Sequence, residues 1–375
     1  MARVKGSTFL EEEIVGQGDV LEAVLQRRPA EVDEVVASCL AREPRDWVVT
    51  GCGDSLFAGL CAEVWFANAA ATPLRAIHAL HFSRYLYKSV NQHSIVFALS
   101  YSGNTARAVE AAVAAKSQGA MVVAITANAD SRLVEIADLW LPNDAEHERS
   151  NCRTGSFAAA ALLLRMVADR VAAASGLSPL PPPDGLPQVV RELSWNAAQP
   201  VRRIVDALPD GLSFTVIGSG YSYPVVQYGS AKLYEAATIP AHVSELEQFV
   251  HCEIFPVGAT SCVMLTAPRG PSSERAVEIA GGLRELGAIT IGITDDPELA
   301  GQCTYSVSIP EGCQESLMPF LATIPFQYFG LYWALRLGDN PDLVSNKRVN
   351  RPLIERSAQW TAADYRTVGV AASAE

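Results

Sequence analysis

Ser100-Tyr101-Ser102-Gly103-Asn104-Thr105 sets three hydroxyls and a glycine within six residues. An apolar run, Ser94-Ile95-Val96-Phe97-Ala98-Leu99, precedes it, and a stretch of helical character beginning Ala106-Arg107-Ala108-Val109-Glu110 follows. Strand, hydroxyl-rich turn and helix, in that order, are what a phosphate group requires. The first N–H groups of a helix lack internal partners and carry the positive end of its dipole. An anion docks there, and Ser100, Ser102 and Thr105 can add hydroxyl donors. A ligand-free helix cap is the alternative, but a cap uses one hydroxyl and this turn has three. A second pattern is Lys232 and Glu235, three apart and so on one helical face. It is either a surface ion pair worth under about 1 kcal/mol or a carboxylate held for proton transfer. A positioned, partly desolvated carboxylate can take a proton from the carbon next to a carbonyl. His251, sixteen residues beyond Glu235, is either a structural histidine or a further proton carrier.

The elements that must position these residues alternate between strand-like and helix-like, the pattern of a parallel sheet with helices on its faces. Trp47-Val48-Val49-Thr50 runs into Gly51-Cys52-Gly53-Asp54-Ser55 and a helix to Ala70. After the strand at 94–99 come a helix over about 105–118, a strand at 121–125, a brief one at 139–141 and an Ala/Leu helix from about 155 to 174. A proline cluster from Ser178 to Pro187 reads as a linker, since it continues neither a helix nor a central strand. The pattern then restarts with a strand at 212–217, Gly218-Ser219-Gly220-Tyr221-Ser222 and a helix to Ala237, with further strands at 261–265 and 288–293. The two glycine turns hold equivalent places, so one α/β unit is duplicated. Its chemistry is unequal. Where the first half has Ser100 to Thr105, the second has Thr266-Ala267-Pro268-Arg269-Gly270-Pro271, so one phosphate pocket per chain is expected. The division that follows is an N-terminal helical segment (1–30), a first domain with the phosphate site (31–177), a linker (178–190), a second domain (191–340) and a C-terminal tail (341–375).

At 375 residues the chain has room for two or three domains. A formal net charge of −12 argues against a nucleic-acid partner, which needs clustered Lys and Arg. The eight cysteines stand singly, with no CxxC pair and no zinc spacing. They read as buried reduced thiols in a cytoplasmic protein. The first residues lack the apolar core of a signal peptide, and no apolar run reaches spanning length. Gly155 to Gly176 comes nearest but is interrupted by Arg165, Asp169 and Arg170, so no membrane association is expected. No cofactor motif or metal-ligand cluster is present, and cofactor-free proton transfer fits.

These motifs together resemble the tandem sugar isomerase (SIS) domain family, in the arrangement of the isomerase half of glucosamine-6-phosphate synthase. Phe9 to Ile14 with Gln17 resembles the opening helix of that half. Gly51 to Ser55 resembles its first glycine turn, and Ser100 to Thr105 its sugar-phosphate cradle. Ile125 to Asn128 with Ser131-Arg132-Leu133, Lys232-Leu233-Tyr234-Glu235, and Glu247-Gln248-Phe249-Val250-His251 match further motifs in the correct order. So do Ile324 to Gln327 and Gly338 to Asp342, with Lys347 where a C-terminal active-site lysine stands. The resemblance implies two tandem SIS domains, each a parallel sheet flanked by helices on both faces in a flavodoxin-like three-layer sandwich. It implies that Ser100, Ser102 and Thr105 hold phosphate with the Tyr101 amide and Ser55, and that Gly53, Asp54 and Asn104 line that site. Glu235 would be the base moving a proton between C1 and C2 of the open-chain sugar. His251 would assist ring opening, in this family sometimes from the neighbouring subunit of a dimer, and Lys232 and Lys347 would contact substrate hydroxyls or aid the ring or imine step. A homodimer with the active site at the subunit interface is therefore expected.

The sequence departs from the synthase at several places. Cys252-Glu253 follows His251 where the family has Gly-Pro, and Asp54 replaces a small hydroxyl residue. Arg149 to Phe157 resembles the pre-helix loop of SIS deglycases and deaminases, where Arg153 would add a cation beside Thr154. Asp54 and Glu253 hint at a substrate with a positive amine. No glutamine-cleaving domain is recognisable, so release of an amine is favoured over synthesis with nascent ammonia. The expected function is that of a deaminase/deglycase or aldose–ketose isomerase on an amino-sugar or ketosamine 6-phosphate, through an open-chain enediol or enolamine. The alternatives are a non-catalytic sugar-phosphate regulator and an isomerase for an unusual sugar in specialised metabolism.

Overall fold

Six strands read as unbroken apolar runs, and all six lie in the interiors of two five-stranded parallel sheets. The computed structural model describes residues 8–70, 72–145, 148–181, 183 and 185–342. The first sheet is β1 (Asp46–Gly51), β2 (Leu74–His78), β3 (Ser94–Leu99), β4 (Met121–Thr126) and β5 (Leu139–Pro142), in the order β2-β1-β3-β4-β5. The second is β6 (Ser213–Gly218), β7 (Ala241–Glu245), β8 (Ser261–Thr266), β9 (Ile289–Thr294) and β10 (Tyr305–Ser308), in the order β7-β6-β8-β9-β10. The two orders are the same, so the duplication read from the glycine turns extends to whole sheets. Every pairing is parallel, which requires a crossover between successive strands and helices on both faces.

Alternation along the strands assigns the faces. In the first sheet Val48, Val96 and Val122 join a buried cluster with Val109, Ala112 and Ala115 of the helix Ala106–Ser117. Trp47 and Phe97 point the other way and stack at 6.2 Å between ring centroids, with Phe66 of the helix Asp54–Ala69 at 5.6 Å from Trp47. In the second sheet Ile217, Val263 and Leu265 pack with Ile279, Ala280 and Leu283 of the helix Ser273–Glu285. On its other side Phe214 meets Trp333 of the helix Thr323–Arg336 edge to face at 5.0 Å.

The chain divides into two compact units, one per sheet. The unit of β1–β5 takes residues 20–145 and 155–181 of those described, and the unit of β6–β10 takes 8–19, 148–154, 183 and 185–342. Residues 8–19 and the 148–154 loop thus belong with the second sheet. The helix Phe9–Arg27 begins under the Asp342 carboxylate, which accepts from the Phe9 and Leu10 N–H groups at 2.7 and 2.8 Å. The proline-rich stretch gives way to the helix Leu186–Ala207 earlier than a linker reading suggests. Pro187 sits in its first turn, where the missing N–H would have had no partner anyway.

The helices Ser222–Ala237 and Thr323–Arg336 approach closely because glycines stand at their contact. A Cβ on Gly229 would lie 2.4 Å from Cγ of Phe326, and one on Gly330 would lie 2.8 Å from the Lys232 carbonyl. Gly229→Ala is expected to destabilise the protein by about 1–3 kcal/mol through overpacking. Thermal unfolding of the variant against the parent checks this.

Candidate functional site

In an open parallel sheet, ligands bind beyond the carboxyl ends of the strands where the strand order reverses. In the first sheet that point lies between β1 and β3. The two segments leaving it are Gly51–Ser55 and Ser100–Thr105. Thr105 sits at the start of the helix Ala106–Ser117 without a capping hydrogen bond from its side chain. Its Oγ1 instead meets Ser100 Oγ at 2.8 Å, so the plain cap is not what this hydroxyl does. Ser100 Oγ accepts from the Gly103 N–H at 3.1 Å, and Ser102 Oγ accepts from the Asn104 N–H at 3.2 Å. The turn's carbonyls face away into supports. Tyr101 O takes Thr126 Oγ1, Ser102 O takes Asn128 Nδ2, and Gly103 O takes the Leu133 N–H. Asn104 Oδ1 accepts from the Arg132 N–H at 3.0 Å, so Asn104 braces the turn. Gly103 has φ +66°, and a Cβ there would fall 2.1 Å from Ser131 Oγ, so only glycine fits.

One turn further along, Glu110 is fully buried. Arg84, Arg107 and Ser83 all bond its carboxylate, so its charge is matched close to the start of the helix. The turn after β1 is tight: a Cβ on Gly51 would lie 2.8 Å from that of Ser55. Gly53 takes φ +54° as the cap, and Asp54 opens the helix Asp54–Ala69, where a carboxylate suits the dipole. Cys52 in this turn is exposed, as is Cys252, while Cys39, Cys61, Cys152 and Cys262 are buried. The expectation of uniformly buried thiols therefore fails at these two positions, and Cys303 and Cys313 are only partly buried. Burial pushes the Cys39 and Cys262 thiols up to about 12.

Two carboxylates stand beside the matching loop of the second sheet. Asp295 accepts from the Arg269 N–H at 2.7 Å and from the Gly312 N–H at 3.3 Å. Glu315 sets its carboxylate against Gly270, 3.2 Å from where a Cβ would lie.

The helix Ser222–Ala237 carries Lys232 and Glu235. Lys232 is 1% exposed, so the surface ion pair is excluded for this residue. Its Nζ lies 2.6 Å from Glu235 Oε2, donates to the Arg153 carbonyl at 3.2 Å, and stands 4.6 Å from the Tyr228 ring centroid. An ammonium stripped of water needs such compensation, and a carboxylate, a carbonyl and an aromatic face supply it here. Glu235 keeps 34% of its side chain exposed and so faces the solvent side of the pair.

Arg153 and Thr154 end the 148–154 loop in the same unit. The Thr154 N–H and hydroxyl bond Glu148 Oε1, and the Arg153 guanidinium turns back to the Glu148 carbonyl at 2.8 Å. Glu13 accepts from the Arg149 and Ser150 N–H groups. Burial nevertheless pushes its carboxyl above the usual range. His251 ends the short helix Leu246–His251, which Glu245 caps through the Glu247 and Gln248 N–H groups. Its side chain is 70% exposed with Nε2 3.3 Å from Glu247 Oε1, and it takes no part in the Lys232–Glu235 cluster. The Arg275 guanidinium beside Glu247 holds that carboxyl below the usual range. Glu253 lies 3.4 Å from His242 Nε2. Lys347 lies outside the described residues.

Sequence reasoning missed Tyr228 and assigned no chemical role to Gln17 or Gln327, which it named only within motifs; all three are buried and bonded in series behind Lys232. Among the described residues, no group of three or more His, Cys, Asp or Glu side chains is arranged to hold a metal ion. No helix among them is long and apolar enough to cross a membrane.

Comparison with known proteins places these features. A family model described as the SIS domain matches residues 41–168 and again 213–336. The isomerizing glutamine–fructose-6-phosphate aminotransferase of Aquifex aeolicus is 26% identical over 303 residues, covering 80% of this chain and 50% of that protein. That of Corynebacterium efficiens is 28% identical over 363 residues, covering 90% and 57%. The chain thus spans about half the length of the curated relatives it matches. Among solved structures, the C-terminal domain of glucosamine-fructose-6-phosphate aminotransferase from Francisella tularensis superposes with a TM-score of 0.80 at 19% identity, over 91% of this chain and 99% of that one. Glucosamine-6-phosphate deaminase from Thermotoga maritima gives 0.73 at 19%, over 90% and 98%. Tagatose-6-phosphate ketose/aldose isomerase from Escherichia coli gives 0.75 at 18%, over 93% and 99%. At these identities the structural likeness speaks for the fold.

Proposed function

The chain belongs to the SIS domain family, and on that premise we propose that it is an enzyme that processes the open-chain form of an amino-sugar or ketosamine 6-phosphate. The observation that carries this reading is the buried Lys232 ammonium clamped to Glu235. Holding a charge out of water costs several kcal/mol, roughly, before its partners offset it. Proton transfer at carbon needs a carboxylate fixed in place, and the buried ammonium supplies that.

The roles follow from the chemistry of each group. The Ser100–Thr105 turn and the first turn of its helix bind the phosphate. Glu235 takes the proton from the carbon beside the open-chain carbonyl, leaving an enediol or enolamine, and returns it to the neighbouring carbon. Lys232 keeps the carboxylate oriented and balances its charge between the two steps. If the substrate bears an amine, the rearranged imine is hydrolysed by water, and amine and sugar phosphate part. His251, exposed and paired with Glu247, is suited to serve the site of a second copy, and a homodimer is part of the proposal. Amine release is favoured over plain isomerisation because the 149–157 segment follows the deglycase and deaminase pattern.

Incubation with glucosamine 6-phosphate, fructose 6-phosphate and a panel of fructosamine 6-phosphates, following amine and sugar product together, tests this. Stoichiometric amine and sugar phosphate are the expected result. Aldose–ketose interconversion without amine would make the enzyme a plain isomerase. Saturable binding with no turnover of any member would overturn the catalytic reading in favour of a sugar-phosphate regulator.

A further inference from the structure

Behind Lys232 runs a continuous line of buried polar side chains. Tyr228, 0% exposed, donates its hydroxyl proton to the Arg153 carbonyl at 2.8 Å. That carbonyl also accepts from Lys232 Nζ at 3.2 Å. Gln327 Nε2 donates to the Tyr228 hydroxyl at 2.9 Å and to Gln17 Oε1 at 3.0 Å. Gln17 Nε2 returns a bond to Gln327 Oε1 at 2.7 Å and donates to the Ile14 carbonyl at 3.0 Å. Gln17 is 2% exposed and Gln327 1%.

The direction of every bond in this line is determined. The Ile14 carbonyl accepts only, so it must face the Gln17 amide nitrogen. Turning both amides over would set the Gln17 oxygen against that carbonyl. With Gln17 fixed, Gln327 must present its nitrogen to Tyr228, and the single Tyr228 proton is left for Arg153. Four donors on the two glutamines meet four acceptors, so the network is complete at that end.

We propose that Tyr228, Gln327 and Gln17 are positioning residues for the Lys232–Glu235 pair, acting through the Arg153 carbonyl; the inference rests on the reading of Glu235 as the proton-moving base. The Tyr228 hydroxyl fixes the carbonyl, the carbonyl fixes the Lys232 ammonium, and the ammonium fixes the carboxylate. The same carbonyl belongs to the 148–154 loop, so the line also ties that loop to the catalytic helix.

Tyr228→Phe removes the hydroxyl and keeps the ring. Tyr328→Phe is the control, since Tyr328 is as deeply buried and donates to the Ser194 carbonyl at 2.7 Å, away from Lys232. Both variants are expected to lower Tm by a few degrees, roughly. Only Tyr228→Phe should lower kcat, by about tenfold with KM within about twofold. In single-turnover measurements this drop should vanish in a Lys232→Met background, because the line then has nothing to position. Equal kcat for the two tyrosine variants, or a full drop retained with Lys232→Met, would overturn the proposal. Should the parent enzyme turn over no sugar phosphate at all, the functional reading fails instead. The 15Nζ resonance of Lys232 then decides the network separately. It should move with Tyr228→Phe and hold with Tyr328→Phe, and an unmoved signal in Tyr228→Phe would remove the proposal.

Discussion

Glu235→Gln is expected to lower turnover by about 10³-fold while sugar-phosphate binding stays within a few fold, roughly, of the parent. Glutamine preserves the size of the side chain and an oxygen that can accept from Lys232 Nζ, which lies 2.6 Å from Glu235 Oε2. The amide cannot take a proton from carbon at neutral pH, so the chemical step is lost with little change of shape. Phosphate binding is assigned to the Ser100–Thr105 turn, which belongs to the other compact unit, and should persist. Lys232 is left buried with a neutral partner, so some stability is also lost. A fall in kcat with near-constant Kd, measured calorimetrically on the same preparation, is the signature. Near-normal turnover would show that another group is the base.

Gly103→Ala should abolish usable phosphate binding. A left-handed φ of +66° costs a non-glycine residue about 1–2 kcal/mol. The greater effect is steric: the methyl group would fall 2.1 Å from Ser131 Oγ and 2.9 Å from Thr126 Oγ1. Thr126 and the 131–133 segment hold the turn's carbonyls outward, so the clash pushes the turn off the supports that shape it. Loss of one or two charge-assisted hydrogen bonds to phosphate raises Kd by about 10- to 1,000-fold. Titration with a sugar phosphate against the free sugar checks the assignment, because only the phosphorylated ligand should lose affinity.

The central strands were legible for a physical reason. β1, β3, β4, β6, β8 and β9 are covered on both faces and run as nearly continuous apolar segments. β2, β7 and β10 are edge strands with mixed burial. Their sequences, such as Tyr305-Ser306-Val307-Ser308, carry too little apolar pattern to announce a strand. The glycine turns and the 100–105 hydroxyls were legible because turn chemistry is local. Lys232 was ambiguous, since spacing along a helix fixes the face but not what covers it. The partners of Tyr228 and Gln327 were invisible: Gln17 and Gln327 are 310 residues apart, and nothing local in either marks a buried amide pair. The placement of 8–19 and 148–154 with the second sheet is likewise a product of tertiary packing.

The most direct measurement is deuterium uptake at the sugar carbons next to the carbonyl, followed by NMR in D₂O with fructose 6-phosphate and a fructosamine 6-phosphate. The parent enzyme should exchange the carbon-bound proton stereospecifically, and Glu235→Gln should not. Exchange undiminished in Glu235→Gln, or neither solvent exchange nor transfer of a carbon-bound deuterium to the neighbouring carbon by the parent with either sugar, would contradict proton transfer by Glu235 as the basis of the function.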